Sequence, residues 1–378
     1  MASLYRIASS VVCCTLVATC AASLNDYPSS QKKEATSLSI AAFPAAIAEG
    51  DVEVEFISTE SPLDAPKITA VNDTTFDWWY FDALSANNQG LFLLFNLGGP
   101  NALLGGNNDA AAFASIHGIF ENGTAWHETG TASTATVITS AEGSSSGIWE
   151  GTGASWTSTS DSKYIVTLNG RIVKGVITLD SIASPHYPCG PVETGSDLVI
   201  APGVGWSNPV PDADVYVDLQ VNGQAFNFRG TGYHDKNWGT QFFPSGFNTW
   251  YWGHARVGAY SIVWFSVIAP DSSTGDRFSG YVSKDGQILH AACGPDSVQV
   301  RPIGTPYPRG NDTNWASGFL IEMNLGAYGY LNVTAFNDAL LVDGGPIAKR
   351  YMGRVVGTIK DKRISGSGQW EDLWLPLS

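Results

Sequence analysis

Short aromatic-rich runs, broken every few residues by Gly, Asn, Ser or Asp, dominate this sequence and leave room for little but strands. The clearest are residues 76–83 (FDWWYFDA), 91–97 (LFLLFNL), 113–120, 164–168, 176–179 and 215–221. A second series follows the stretch FFPSGFN at 242–248: residues 249–257 (TWYWGHARV), 260–268 (YSIVWFSVI), 279–282, 319–325, 328–335 and 351–359. The spacing is that of sandwiches and barrels, and 17 Phe, 14 Tyr, 13 Trp, 41 Gly and 19 Pro point the same way. Helix is confined to short pieces such as 337–341. The stretches 131–147 and 153–162, rich in Ser and Thr, read as solvated edges and loops. No repeat of fixed period is present.

A chain of 378 residues exceeds what one core usually serves, so we expect an all-β protein of two domains, 51–240 and 241–378. Residues 23–50 read as a mobile N-terminus, with the first strand near 52–57 (VEVEFI). Residues 1–22, with Arg6, a weakly apolar stretch and the small residues Cys20 and Ala22, have the pattern of a signal peptide, which places the mature chain in the secretory pathway or outside the cell. Its removal leaves Cys189 and Cys293, either one disulfide or two buried thiols. Glycosylation sequons stand at Asn72, Asn122, Asn311 and Asn332, about the number chance supplies in a chain this rich in Asn, Ser and Thr.

With 20 Lys and Arg against 35 Asp and Glu, the formal charge of -15 gives no cationic surface for nucleic acid. No later segment has the length and apolarity of a membrane span. No G-x-G-x-x-G opens a helix and no P-loop lysine is present, so no nucleotide cofactor is expected. The six histidines show no H-x-H or H-x-x-x-H spacing, so no local metal clip is expected either. The G-x-S-x-G at 143–147 lies in a Ser-rich loop that lacks the strand and helix of a nucleophile elbow. A carboxylate pair for glycoside cleavage stays open, because its separation is set by the fold.

What remains are strands carrying a few polar groups on definite faces. A period of two puts Asp77, Trp79 and Phe81 on one face of FDWWYFDA and Trp78, Tyr80 and Asp82 on the other. It puts Trp250, Trp252, His254 and Arg256 together on TWYWGHARV, as suits a barrel interior or an interdomain cleft; core packing with a structural ion pair at Arg256 is the alternative. The segment GTGYHDKNWG at 230–239 sets His234, Asp235, Lys236 and Asn237 in a row before Trp238. An Asp beside a His suits acid/base work, and equally suits holding two domains together. The terminal ISGSGQWEDL offers Trp370 and Glu371 in a similar Gly-rich setting.

Taken in order, WWYFDA, GYHDKNWG, TWYWGHARV and SGSGQWED resemble the two-domain lipocalin-like proteins, which include bacterial carotenoid hydratases of the hydroxyneurosporene synthase type and fungal Diels-Alderases. The likeness spans roughly residues 50–378, and Lys236 departs from the second histidine of the hydratases. The leader is similar to that of the hetero-Diels-Alderase branch, which couples a tropolone-derived o-quinone methide to a humulene-type sesquiterpene. The resemblance implies an N-terminal β-sandwich packed on a C-terminal lipocalin-like β-barrel, a pocket between them, small hydrophobic substrates and no cofactor. Within such a pocket, strand face and motif position suggest substrate walls from Trp79, Phe81, Trp238, Trp250, Trp252, Trp370 and Glu371, heterodiene activation by His254 or Arg256, and an acid at Asp77 or the His234/Asp235 pair. An intramolecular cyclase forming a decalin-type ring, a hydratase or isomerase of polyenes, and a non-catalytic secreted carrier are the alternatives.

Overall fold

The computed structural model describes residues 37–103, 110–159, 162–271, 273, 275–309 and 314–375. Among them the chain forms two curled antiparallel sheets. The first holds β1 (Leu38–Pro44), β2 (Phe76–Leu84), β3 (Gly90–Gly98), β4 (Ala112–Ile119), β5 (Ala125–Thr131), β6 (Thr134–Ser140), β7 (Ser145–Trp149), β8 (Ala154–Ser158), β9 (Lys163–Asn169), β10 (Val173–Ser181), β11 (His186–Tyr187), β12 (Gly190–Pro191), β13 (Val199–Ala201), β14 (Val204–Val221) and β15 (Gln224–Gly239). The second holds β16 (Thr249–Val257), β17 (Tyr260–Ile268), β18 (Arg277–Lys284), β19 (Gln287–Cys293), β20 (Gln299–Pro302), β21 (Gly318–Asn324), β22 (Tyr330–Phe336), β23 (Ala339–Asp343), β24 (Ala348–Ile359) and β25 (Lys362–Trp374). This is the all-β architecture of a sandwich followed by a lipocalin-like barrel. The sheet changes between Gly239 and Thr249, across the 3₁₀ turn Phe243–Gly246.

Each sheet curls round its own core. In the first, Trp79, Phe81, Phe95, Trp149, Trp156 and Trp238 meet aliphatic residues of β9, β10 and β14. In the second, Tyr251, Trp264, Phe319, Val333 and Trp370 fill the interior. A third cluster joins the outward faces of the two sheets, with Tyr80, Phe92, Trp206 and Tyr233 from one against Trp250, Trp252, Phe265 and Met352 from the other. The strands at this junction are therefore buried on both faces, which is why they read as near-continuous hydrophobic runs.

The long β14–β15 hairpin carries the junction. It turns at Asn222-Gly223, both at positive φ (50° and 79°), the conformation that a two-residue hairpin loop demands and Gly adopts without cost. Its far end pairs with β2, His234 opposite Phe81 and Lys236 opposite Trp79. The second sheet answers with β16 between β17 and β25, Trp252 opposite Glu371, while Glu371 faces Arg350 on β24.

Several expectations need correction. The chain enters the fold at Leu38, earlier than the 23–50 mobile segment allows: β1 pairs with β6 along seven residues, anchored by buried Phe43. Residues 52–57 form only the isolated bridges Val54 to Ile68 and Ile57 to Asp197. The Ser/Thr-rich stretches hold β6, β7 and β8, which lie inside the sheet order and bury Trp149 and Trp156. Residues 337–341 run into strand β23, because the alternation of Leu341 inward and Leu340 outward fits an edge beside β24. Residues 1–22 and Asn311 lie outside the described residues. Asn122 is exposed, whereas the amides of Asn72 and Asn332 are hydrogen-bonded to the Gly50 carbonyl and the Glu322 carboxylate. Cys189 and Cys293 form a disulfide with Cα atoms 4.5 Å apart, stapling the end of the β11–β12 hairpin to β19 of the other sheet. Among the described residues no helix is long and apolar enough to cross a membrane.

Candidate functional site

Where the two outward faces do not meet, they leave a cavity of about 450 Å³. Alternation along each strand decides what faces it: Trp78 and Tyr80 from β2, Phe92, Leu94 and Asn96 from β3, Phe113, Ser115 and His117 from β4, Asp235 and Asn237 from β15. The second sheet contributes Trp250 and Trp252 from β16, Phe265 from β17, Arg350 from β24 and Glu371 from β25. The size and the aromatic lining suit a small, largely apolar organic molecule.

Among the polar groups on this wall, Asp235 and the Arg350–Glu371 pair stand out. Asp235 Oδ2 accepts hydrogen bonds from Trp206 Nε1 at 2.9 Å and Tyr233 Oη at 2.8 Å. Burial nevertheless pushes its carboxyl up to about 7, against the pull of those donors and of His234, so a large fraction is a neutral acid near pH 7. Across the cavity, Arg350 pairs with Glu371 and lies over the rings of Phe92, Tyr80 and Trp252, with its guanidinium carbon 4.2, 4.6 and 5.4 Å from the centroids. It also donates to Tyr80 Oη at 2.5 Å; Tyr80 donates in turn to Asp82 Oδ2 at 2.7 Å, which His254 Nε2 meets at 2.7 Å. This chain leads from the cavity into the junction of the sheets. Trp250 Nε1 donates to Glu371 Oε2 at 3.2 Å. Burial pulls His117, at the cavity wall, down to about 4 and leaves a neutral imidazole.

Of the residues assigned catalytic or substrate-binding roles from the sequence, Asp235, Trp250, Trp252 and Glu371 line the cavity; the others so assigned lie elsewhere. Trp79, Phe81 and Trp238 belong to the core of the first sheet and Trp370 to that of the second. Asp77 binds Lys236 Nζ at 2.5 Å and the Lys67 amide at 2.7 Å, sealed on the same inner side. His234 stacks on Phe81 and bridges Asp64 (2.9 Å) and the Tyr80 carbonyl (2.7 Å). It is therefore not paired with Asp235: neighbours in a strand point to opposite faces. Arg256 grips Asp212 and Asp214 of β14, each at 2.7 Å, an ion pair that ties the sheets together. His254 sits behind the wall, stacked on Tyr233. Sequence reasoning missed Trp78, Tyr80, Phe92 and Arg350. The first two lay on the face of FDWWYFDA passed over for the pocket, and nothing in the run around Arg350 marks it. Among the described residues no three His, Cys, Asp or Glu side chains gather closely enough to hold a metal ion.

Residues 17–300 match the family model described as Diels-Alderase-like. The chain belongs to the Diels-Alderase-like family. Within reach of that family, it is 37% identical over 292 residues to the quinolone epoxide rearrangement protein asqO of Emericella nidulans, covering 75% of this chain and 80% of that one. It is 33% identical to the quinolone epoxide rearrangement protein penF of Penicillium thymicola (80% and 86% covered) and 28% identical to the Diels-Alderase pyiF of Pyricularia grisea (58% and 53%). The solved structure of CghA with Sch210972 superposes with a TM-score of 0.75 at 18% identity, over 90% of this chain and 99% of that one. Kievitone hydratase from Nectria haematococca follows at a TM-score of 0.52 and 14% identity, over 89% and 98%. These two likenesses extend the shared Diels-Alderase-like fold, and no more, to distant relatives.

Proposed function

We propose that this protein is a cofactor-independent cyclase that works by acid activation inside an aromatic cavity: it dehydrates a hydroxymethyl tropolone to the o-quinone methide and joins this by hetero-Diels-Alder addition to a humulene-type sesquiterpene. In the first step Asp235 protonates the leaving hydroxyl, the C–O bond breaks, water departs, and the ring hydroxyl gives up its proton, restoring the acid. In the second, the C=C–C=O unit adds across an alkene, forming one C–C and one C–O bond with no atom lost. The rings of Trp78, Trp250, Trp252 and Phe265 hold both partners in register, and such pre-ordering contributes up to roughly 7–11 kcal/mol. The signal-peptide pattern of residues 1–22 supports a secretory or extracellular setting for this proposed activity. One observation carries the reading: Asp235, held in large part as a neutral acid by burial, lines a cavity rich in aromatic rings.

Incubating the protein with the tropolonic alcohol and humulene tests it. A new adduct, formed faster than without protein and absent for Asp235→Asn, supports the proposal; release of both compounds unchanged defeats it. A second reading rests on the identity to the two quinolone proteins: the same acid protonates an epoxide oxygen and the aromatic wall steadies the developing cation while a group migrates. Rearrangement of a quinolone epoxide, with no cycloadduct from the first pair, selects it.

A further inference from the structure

Arg350 differs from Lys236 and Arg256. Lys236 is sealed against Asp77, and Arg256 spends Nε and both terminal nitrogens on Asp212 and Asp214. Arg350 lines the cavity, yet gives one N–H to Tyr80 and one to Glu371. A guanidinium has five N–H donors in a planar fork, so three remain without a protein acceptor. The rings of Phe92, Tyr80 and Trp252 hold its plane, and Glu371 is fixed in turn by Trp250. A rigid fork with spare donors beside aromatic walls matches a flat conjugated ring carrying two neighbouring oxygens, one carbonyl and one acidic enol.

We propose that Arg350 is the substrate-anchoring residue of this cavity, and that the site takes conjugated α-hydroxy-carbonyl rings whose adjacent oxygens bind the guanidinium fork. This deepens the reading above and rests on the cavity being the substrate site. With the oxygens fixed on Arg350, the carbon skeleton extends along the aromatic wall toward Asp235.

Isothermal titration of the full chain with 2-hydroxy-1,4-naphthoquinone and with its 2-methoxy ether tests the anchor without turnover. Wild type should bind the hydroxy compound roughly 10- to 100-fold more tightly than the ether, the range of a charge-assisted hydrogen bond. Arg350→Met should erase that preference and leave the ether within about twofold of wild type, since the ether makes only apolar contacts. Glu371→Gln, which frees the fork from its competing carboxylate, should tighten the hydroxy compound several-fold. If Arg350→Met does not fold, Arg350→Lys, which keeps the charge and loses the fork, should retain only part of the preference. No binding of the hydroxy compound to wild type, a preference unchanged in either Arg350 variant, or weaker binding in Glu371→Gln overturns the proposal. A protein that shows the preference and yields no cycloadduct sinks the proposed reaction and leaves the anchor standing. Cycloaddition that proceeds equally well in Arg350→Met sinks the anchor alone.

Discussion

The two faces of one strand segment, residues 233–239 of β15, carry the same kinds of side chain to opposite ends. Inward, His234 and Lys236 enter the first core, where their side-chain nitrogens meet acceptors. Asp64 accepts from Ser145, Tyr164 and His234, and although burial pushes its carboxyl up, His234 and these hydrogen bonds bring it down to about 2. Lys236 meets Asp77 with Nζ 3.4 Å from the Trp79 centroid, and burial still brings its ammonium down to about 8. Outward, Asp235 has donors on one oxygen only and faces a gap. A buried charge held by its partners is committed to the core; a buried acid left half matched beside empty space is free to act on whatever fills it.

The largest expected effect tests the outward face. Asp235→Asn should lower the rate of the acid-dependent step by about 10²- to 10⁴-fold, the usual worth of general acid catalysis, with substrate affinity little changed. In the wild type that rate should fall as pH rises through about 7, where the acid ionises. Stability should follow the same group. The folded pKa lies above the unfolded value, so the folded state holds the proton more tightly, and stability declines from about pH 4 to pH 7 and is level above. Denaturant unfolding across this window should show a shallower decline for Asp235→Asn; an equal slope would mean that another group titrates.

The inward face should break differently. Lys236→Met leaves Asp77 buried without its counter-charge, and removing one member of a buried pair costs about 3–5 kcal/mol. The double change Asp77→Leu with Lys236→Met removes both charges and should recover most of that loss, while the rate per folded molecule stays near wild type. A rate that collapses in the double variant while the fold is intact would place the pair in the chemistry.

How much of this could be read in the sequence follows from the same geometry. Period-two alternation sorts side chains into two sets, and for β2 and β16 the sorting was legible from the letters alone. Which set meets the gap was not, because both sets of β2 are apolar and buried, and the choice depends on where the second sheet stops touching the first. On β16 the cavity face was recognisable because Trp250, Trp252, His254 and Arg256 stand together, while His254 and Arg256 went to carboxylate partners, Asp82 and Asp212. The density of polar groups in GYHDKNWG did mark a special segment, but half of it serves the core. Arg350 could not have been found, since its role comes from register with Glu371 across β24 and β25 and from rings on the other sheet.

The smallest effect comes from two adjacent tryptophans that the fold sends opposite ways. Trp79 is wholly buried, donates Nε1 to the Asp64 carbonyl at 3.0 Å and underlies Lys236. Trp79→Phe loses that hydrogen bond and leaves a void, together about 1–3 kcal/mol of stability, without touching the cavity. Trp78 is half-buried, stacks on Phe76 at 5.0 Å and meets Phe243 edge-on, and its indole nitrogen makes no hydrogen bond to protein. Trp78→Phe keeps an aromatic ring against Phe76 and Phe243 and breaks no hydrogen bond, so it should cost less than about 1 kcal/mol in unfolding experiments and appear instead as a raised KM because the wall recedes from the substrate. If Trp79→Phe raised KM and Trp78→Phe did not, the inner and outer faces of β2 would have exchanged roles, and the cavity between the sheets would not be where substrate binds.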